Sequence, residues 1–314
     1  MKHRTHPDTT RYWSRRDLLR ATVAAGVACL APAVTAQAAT QLRRVIPRSG
    51  EQIPAVGLGT WQTFDVGGSD AERAPLREVL KRFVALGGTV IDSSPMYGES
   101  ETVVGDLAGE TGVHKSLFLA TKVWTSGRDA GIRQMETSLK RLRTPKLDLM
   151  QVHNLVDWQT HLKTLRGWKE QGRVRYLGIT HYTESAYADL ERVMRAEKPE
   201  FVQLNYSIVS RIAEQRLLPL AQELGIAVLV NRPFEKAGLF GKVRDKALPA
   251  WAAEFDCASW AQFFLKFILA HPAVTCAIPA TSKVKHLEDN MQAGLGRLPD
   301  AATREKMAQL VRTF

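Results

Sequence analysis

Eight short aliphatic runs, each followed by a stretch of helical length, set the tightest limit on what this chain can become. The runs fall at 55–58, 89–91, 117–121, 147–152, 174–178, 201–204, 227–230 and 275–278. Helical patterns lie between them, near 71–86, 100–109, 129–142, 158–171, 184–196, 213–224 and 258–270, and another near 283–292 follows the last run. Gly87-Gly88, Gly172 and Gly225 stand where helix C-termini favour a left-handed residue. Runs this short and continuous suit parallel strands buried on both faces. Eight strand–helix units in 314 residues predict a (β/α)8 barrel. A doubly wound open sheet shares the alternation, but Gly57-Leu58-Gly59 runs on into Thr60-Trp61-Gln62, so no G-x-G-x-x-G follows the first run. A β-hairpin over 43–55, turning at Arg48-Ser49-Gly50-Glu51, precedes the barrel, and a short helix over about 300–312 closes it.

The first residues read as an export signal. A polar start ends in Ser14-Arg15-Arg16-Asp17-Leu18-Leu19-Arg20, an apolar run follows from Ala21 to about Val34, and Ala36-Gln37-Ala38 is a small-x-small cleavage site. The run is too short and too alanine-rich for a membrane span. The paired arginines resemble the twin-arginine signal, which sends folded proteins across the bacterial inner membrane. The expectation is a leader over 1–38, the barrel over 39–314, the twin-arginine export machinery as a partner, and a periplasmic location. Cys29 lacks the bulky aliphatic residue three positions earlier that lipidation needs; Gly26 is there instead.

Charge and cysteines narrow the function classes. The net charge is +11, of which the leader carries Lys2, Arg4, Arg11, Arg15, Arg16 and Arg20 against Asp8 and Asp17. The remaining excess is spread out, with no basic cluster interleaved with aromatics, which argues against nucleic acid. A 45% hydrophobic, 24% charged composition excludes a disordered chain and a multi-span membrane protein. Beyond the leader only Cys257 and Cys276 remain. Their spacing suggests no zinc or iron–sulfur site, so no metal is expected, and they are either buried thiols or a disulfide.

Residues at the carboxyl ends of barrel strands face the active site. There stand Asp92 after the second run with Tyr97 five residues on, Lys122 ending the third strand and His153 ending the fourth. A phenol is a poor acid at neutral pH, with an ordinary pKa of about 10. A nearby ammonium lowers that value, and a carboxylate holds the ammonium in place. The phenol then gives its proton to a carbonyl oxygen, while a neutral imidazole orients the same oxygen. Such a set polarises an aldehyde or ketone, and the hydride must come from a cofactor. A barrel glycosidase is disfavoured, because the strand ends offer no evident second acid beside Asp92.

The chain resembles the aldo-keto reductases. The resemblance is carried by Gly57-Leu58-Gly59-Thr60-Trp61, by Ile91-Asp92-Ser93-Ser94-Pro95-Met96-Tyr97-Gly98-Glu99-Ser100-Glu101, by Ala120-Thr121-Lys122-Val123 and by Leu147-Asp148-Leu149-Met150-Gln151-Val152-His153. It continues through Gly178-Ile179-Thr180-His181-Tyr182, Val202-Gln203-Leu204-Asn205-Tyr206 and Ile278-Pro279-Ala280-Thr281-Ser282, spanning about 42–293. It implies Tyr97 as general acid, Lys122 as its tuner, Asp92 as the partner of Lys122, and His153 as the orienter of the carbonyl. It implies a nicotinamide cofactor across the barrel mouth, lined by Gly59, Thr60, Trp61, Thr180, His181, Gln203, Asn231, Arg232 and Pro233. Thr180-His181 replaces the family's Ser-Asn pair. Asn231 replaces its stacking aromatic ring, with Phe234 or Tyr206 as possible substitutes, and Arg232 is a candidate pyrophosphate contact.

The resemblance places the adenosine end of the cofactor at Thr281, Ser282, Lys283, His286 and Asn290. His286 and Ala280 stand where the family's Arg and Lys meet a 2′-phosphate, and Lys283 or Lys285 supplies charge instead, which favours NADP(H) over NAD(H). Only one helix follows Asn290, implying an open substrate pocket with Trp61, Phe64, Trp124 and Phe240 as candidate walls. The substrate expected is a small carbonyl compound or alcohol, and the protein a monomer or weak oligomer. The competing expectation is an exported NADP(H)-binding sensor or partner subunit with little turnover. His161, His181, His271 and His286 are expected at the surface, as caps or on the cofactor rim, and not as catalysts.

Overall fold

The computed structural model describes Met1 and residues 40–314. The expected leader over 1–38, Cys29 included, lies outside the described residues. Strands β1 (Arg43–Val45) and β2 (Gln52–Pro54) form the anticipated antiparallel hairpin, with Arg43 opposite Pro54 and Val45 opposite Gln52. Eight parallel strands follow in chain order: β3 (Leu58–Gly59), β4 (Val90–Asp92), β5 (Phe118–Val123), β6 (Leu147–His153), β7 (Val174–His181), β8 (Phe201–Asn205), β9 (Ala227–Asn231) and β10 (Val274–Ala277).

The sheet closes on itself between β10 and the chain leading into β3. Gly57 N donates to Ala277 O (2.8 Å), Ala277 N to Ala55 O (2.9 Å) and Gly59 N to Pro279 O (3.1 Å). This explains why the first strand differs from the expected 55–58. Ala55 and Gly57 pair with β10, so only Leu58 and Gly59 remain for the ladder with β4. Gly59 is required at this seam, because a Cβ there would lie 2.8 Å from Ile278 O.

Helices α1 (Asp70–Ala85), α2 (Ser100–Glu110), α3 (Arg128–Arg141), α4 (Trp158–Glu170), α5 (Tyr187–Glu197), α6 (Leu217–Leu224), α7 (Gly238–Lys242), α8 (Trp260–Leu269), α9 (Val284–Gln292) and α10 (Ala301–Arg312) complete the described fold. Gly87, Gly172 and Gly225 all take positive φ at helix C-termini, as expected. Helices α5 and α6 start three and four residues later than the apolar spacing implies, because 3-10 turns at Glu184–Ala186 and Ile212–Glu214 occupy the expected first turns. The short α7 and the 3-10 turn Ala250–Phe255 were not anticipated; Gly238, Gly241 and Pro249 obscure any periodicity there.

One end of the barrel is sealed by the hairpin. Ile46 and Ile53 are buried with Val90, Phe118, Leu149, Tyr176 and Phe201, and each such aliphatic side chain contributes about 1.5–3 kcal/mol on burial. The Tyr176 hydroxyl donates to Glu51 Oε2 (2.6 Å) and accepts from Ser49 Oγ (2.8 Å), which fixes the turn to β7. With that end closed by apolar packing, polar side chains collect at the opposite end, where the strands finish. Cys257 and Cys276 are both buried free thiols, which resolves the alternative left open by their spacing.

Candidate active site

Asp92 is the last residue of β4, Lys122 lies one residue before the end of β5, and His153 ends β6. Lys122 is fully buried. Its Nζ donates to Asp92 Oδ2 (2.6 Å) and Ser93 O (2.6 Å). The other carboxylate oxygen, Asp92 Oδ1, accepts from Gln203 Nε2 (2.9 Å) and Gln151 Nε2 (3.0 Å). A buried charge is tolerated only when paired and hydrogen-bonded, and here both partners are. Burial alone would push the Lys122 ammonium down, but Asp92 and Tyr97 together outweigh it and hold the pKa above its ordinary value.

Tyr97 sits on the loop between β4 and α2. Tyr97 N donates to Ser94 O (3.0 Å) and Ser100 N to Tyr97 O (3.1 Å). Gly98 follows at φ 57, where a Cβ would lie 2.1 Å from Asp65 Oδ1, the atom that accepts from Glu99 N (2.9 Å). The loop is thus pinned on both sides of the tyrosine. Lys122 Nζ lies 5.0 Å from the Tyr97 ring centroid. The ring meets His153 edge-on, with centroids 6.0 Å apart. The phenol's pKa is raised, because burial outweighs the opposing pull of Lys122, and Asp92 adds to the rise. This corrects the expectation of a lowered value: the ammonium acts in the expected direction, but desolvation of the phenolate is larger.

His153 is buried, and burial, with Lys122 and His181 adding to it, pushes its pKa down to about 2. The ring is neutral throughout the physiological range. Its Nδ1 lies 3.1 Å from Ser94 Oγ. Trp124, 41% exposed, stands with its ring centroid 6.4 Å from that of His153, in keeping with a place at the mouth.

A second polar group adjoins the first. Gln203 Oε1 accepts from Thr180 Oγ1 and Asn231 Nδ2, each at 3.4 Å. Asn231 Oδ1 is buried with no hydrogen-bond partner among the described residues. His181 Nδ1 accepts from Thr183 N (3.2 Å), which leaves the ring proton on Nε2, and burial lowers its pKa. The His181 ring stacks on Tyr182 (5.7 Å, 16°), and the Arg232 guanidinium lies 4.2 Å over the Tyr182 ring. Lys236 Nζ lies 5.2 Å from the Trp61 ring centroid. At the start of α9, Thr281 Oγ1 accepts from Lys283 N (3.1 Å); Lys283, Lys285 and His286 are exposed, Ser282 is half-buried and Asn290 is buried.

Several expected positions differ. Phe64 is wholly buried in the core and offers no wall to a pocket. Phe240 packs on Phe234 (4.9 Å) and Phe264 (6.0 Å) yet is 36% exposed, which leaves it available as a wall. Tyr206 is fully buried, its phenol held by Glu214 and Arg304, so it provides no ring for stacking on a nicotinamide. The Thr60 hydroxyl donates to Asp92 O (3.0 Å), so its side chain braces the loop after β4. His161 is buried, not superficial, with Nε2 2.7 Å from Thr125 O. Gln151 and Ser94 were given no role in the sequence reading. Gln151 was findable, because it lies two residues before His153 and so shares the inward face of β6. Ser94 had no such signal.

The model of the Aldo/keto reductase family matches residues 55–306. Methylglyoxal reductase YeaE of Escherichia coli is 30% identical over 256 residues, covering 79% of this chain and 88% of that protein. Aldo-keto reductase YhdN of Bacillus subtilis is 29% identical over 219 residues, 64% of each chain. Among solved structures, an aldo-keto reductase of Klebsiella pneumoniae in complex with NADPH superposes with a TM-score of 0.72 at 26% identity, covering 87% of this chain and 95% of that one.

Proposed function

From the premise that the chain belongs to the aldo/keto reductase family, we propose that it reduces an aldehyde or ketone with NADP(H), with Tyr97 as general acid. When bound, the nicotinamide supplies the hydride. The observation that carries this reading is the buried Asp92–Lys122 pair at 2.6 Å with the ammonium 5.0 Å from the Tyr97 ring centroid, beside a neutral His153. A raised phenol pKa keeps Tyr97 protonated at neutral pH. As the carbonyl carbon accepts hydride, the Tyr97 O–H bond breaks and the proton passes to the carbonyl oxygen. The phenolate left behind is stabilised by Lys122 until solvent returns the proton. In the reverse direction the same phenolate takes the proton from an alcohol.

The side chains around Gln203 fit a nicotinamide carboxamide. The orphaned acceptor Asn231 Oδ1 suits an amide N–H, and His181 Nε2–H is the kind of donor an amide oxygen takes. Thr180 and Gln203 complete the rim. Arg232, held over Tyr182, suits a pyrophosphate, and Lys283, Lys285, Ser282 and Thr281 at the start of α9 suit a 2′-phosphate. The relative named a methylglyoxal reductase makes methylglyoxal the first substrate to assay. The leader over 1–38 would carry the folded protein, with cofactor in place, to the periplasm; fractionation of cells tests that.

The deciding experiment is Tyr97→Phe. Turnover with methylglyoxal and a panel of small aldehydes, followed by NADPH absorbance, is expected to fall by at least the ~10²–10⁴ of a general acid. Cofactor affinity, measured by fluorescence titration, stays within about twofold, since the hydroxyl is not among the binding groups. Retained turnover in the variant overturns the assignment. A wild-type protein that binds NADPH and turns over none of the panel would favour the sensor alternative.

A further inference from the structure

We propose that Ser94 is a positioning residue that sets the tautomer of His153, by donating its hydroxyl proton to Nδ1 and so confining the ring proton to Nε2. Its catalytic consequence rests on the proposed carbonyl reduction; the tautomer itself does not.

Ser94 is fully buried. Among the described residues its Oγ has two neighbours at hydrogen-bond distance, Met96 N at 3.4 Å and His153 Nδ1 at 3.1 Å. The Met96 amide can only donate, so Oγ accepts there. A neutral imidazole carries one N–H and one bare nitrogen. If Nδ1 carried the hydrogen, Oγ would receive two donors and its own proton, on a fully buried side chain, would have no acceptor. If Nδ1 is bare, the hydroxyl proton goes to it and every group is satisfied. The buried serine thereby selects the Nε2–H form. Nε2 has no hydrogen-bond partner among the described residues, yet it is not one of their sealed-off orphan atoms. It is therefore the nitrogen left to meet a ligand, with its hydrogen in place to donate to a carbonyl oxygen.

The charged and titratable groups around the ring do not supply this selection. Tyr97 approaches edge-on with centroids 6.0 Å apart, and Lys122 donates to Asp92 and Ser93. His181 accepts at its own Nδ1 from Thr183. Among the described residues, Ser94 alone is hydrogen-bonded to a ring nitrogen of His153.

The experiment is a two-bond ¹H–¹⁵N correlation on the full chain with ¹⁵N-labelled histidine at neutral pH, the His153 signals being assigned by their loss in His153→Gln. The wild-type protein is expected to show a protonated Nε2 and a bare Nδ1. In Ser94→Ala the two nitrogens move toward an averaged mixture of tautomers, and Ser94→Thr, which keeps the hydroxyl, restores the wild-type pattern. In steady-state assays Ser94→Ala is expected to lose about tenfold in kcat, less than the ~10²–10³ for removing an oxyanion donor outright, with Ser94→Thr recovering most of it. A wild-type ring protonated at Nδ1, or a wild-type tautomer pattern retained in Ser94→Ala, overturns the proposal. If the tautomer responds as expected while the wild-type enzyme reduces no carbonyl, the positioning role stands and the proposed reaction fails. If Tyr97→Phe is inactive and Ser94→Ala leaves both tautomer and kcat unchanged, the reaction stands and the role of Ser94 fails.

Discussion

Replacing Lys122 by methionine tests whether the Asp92–Lys122 pair is charged and mutually dependent. Methionine keeps the length and apolar packing of the stem, so little volume is lost. The substitution removes the ammonium that faces Asp92 Oδ2 at 2.6 Å and leaves only the amides of Gln151 and Gln203 on the opposite oxygen. Breaking one side of a buried pair costs about 3–5 kcal/mol. The expected loss for Lys122→Met is therefore about 3–5 kcal/mol. Equilibrium urea unfolding of the full chain at pH 7 measures this. The double variant Asp92→Asn/Lys122→Met removes the stranded charge and is expected to be at least about 2 kcal/mol more stable than the sum of the two single losses. Additive single and double variants would refute a buried ion pair at the centre of this site.

Other expectations follow from the same geometry. His153 has a folded pKa of about 2, below the ordinary histidine value. Between about pH 6.5 and pH 4.5 the unfolded chain therefore binds a proton that the folded chain does not, and stability falls with decreasing pH at up to about 1.4 kcal/mol per unit from this group. His271, lowered to about 4 chiefly by burial, adds in the same direction. Urea midpoints across that window should show a shallower slope in His153→Gln, and an unchanged slope would count against a buried neutral ring. Lys283→Ala/Lys285→Ala should weaken NADPH by about tenfold, the ~1.4 kcal/mol of a lost charged contact, with little change for NADH; equal effects on both cofactors in a binding titration would remove the 2′-phosphate assignment. Arg304 donates to Phe267 O (3.0 Å), Glu214 Oε1 (2.7 Å) and the Tyr206 hydroxyl. Arg304→Met is expected to destabilise by about 2 kcal/mol, because it removes the hydrogen bonds to Phe267 O, Tyr206 and Glu214, while Arg211 still pairs with Glu214 Oε2 at 2.7 Å; a shift below ~0.5 kcal/mol would show that α10 docks without this network.

The barrel was legible because its period is local. Short aliphatic runs such as 147–152 and 201–204, separated by helical spacing, admit few other folds, and the structure differs mainly by a residue or two at strand ends. The positions of Asp92, Lys122 and His153 were legible for the same reason, since knowing where a strand stops places its last side chain at the barrel mouth. Aromatic residues outside that framework were not. Phe64 and Tyr206 differ from Trp124 only in what packs around them, and nothing in their neighbouring residues distinguishes a core ring from a wall. The convergence of Gln151 and Gln203 on one carboxylate oxygen was equally hidden, because it depends on how β4, β6 and β8 stagger around the barrel.

Patterned hydrophobicity and the chemistry of four side chains were enough to assign the barrel, its working end and a hydride-accepting carbonyl as the reaction's centre. Those features follow from periodicity and functional-group type, which the linear order of residues already contains. The balance of forces on each group required the folded chain. Whether the Tyr97 proton is held or released depends on the sum of lost water against the nearby ammonium, and which nitrogen of His153 bears hydrogen depends on a serine brought to it from another strand end. Both are set by distances across the barrel, and electrostatic and hydrogen-bond energies vary too steeply with distance to be read from sequence separation.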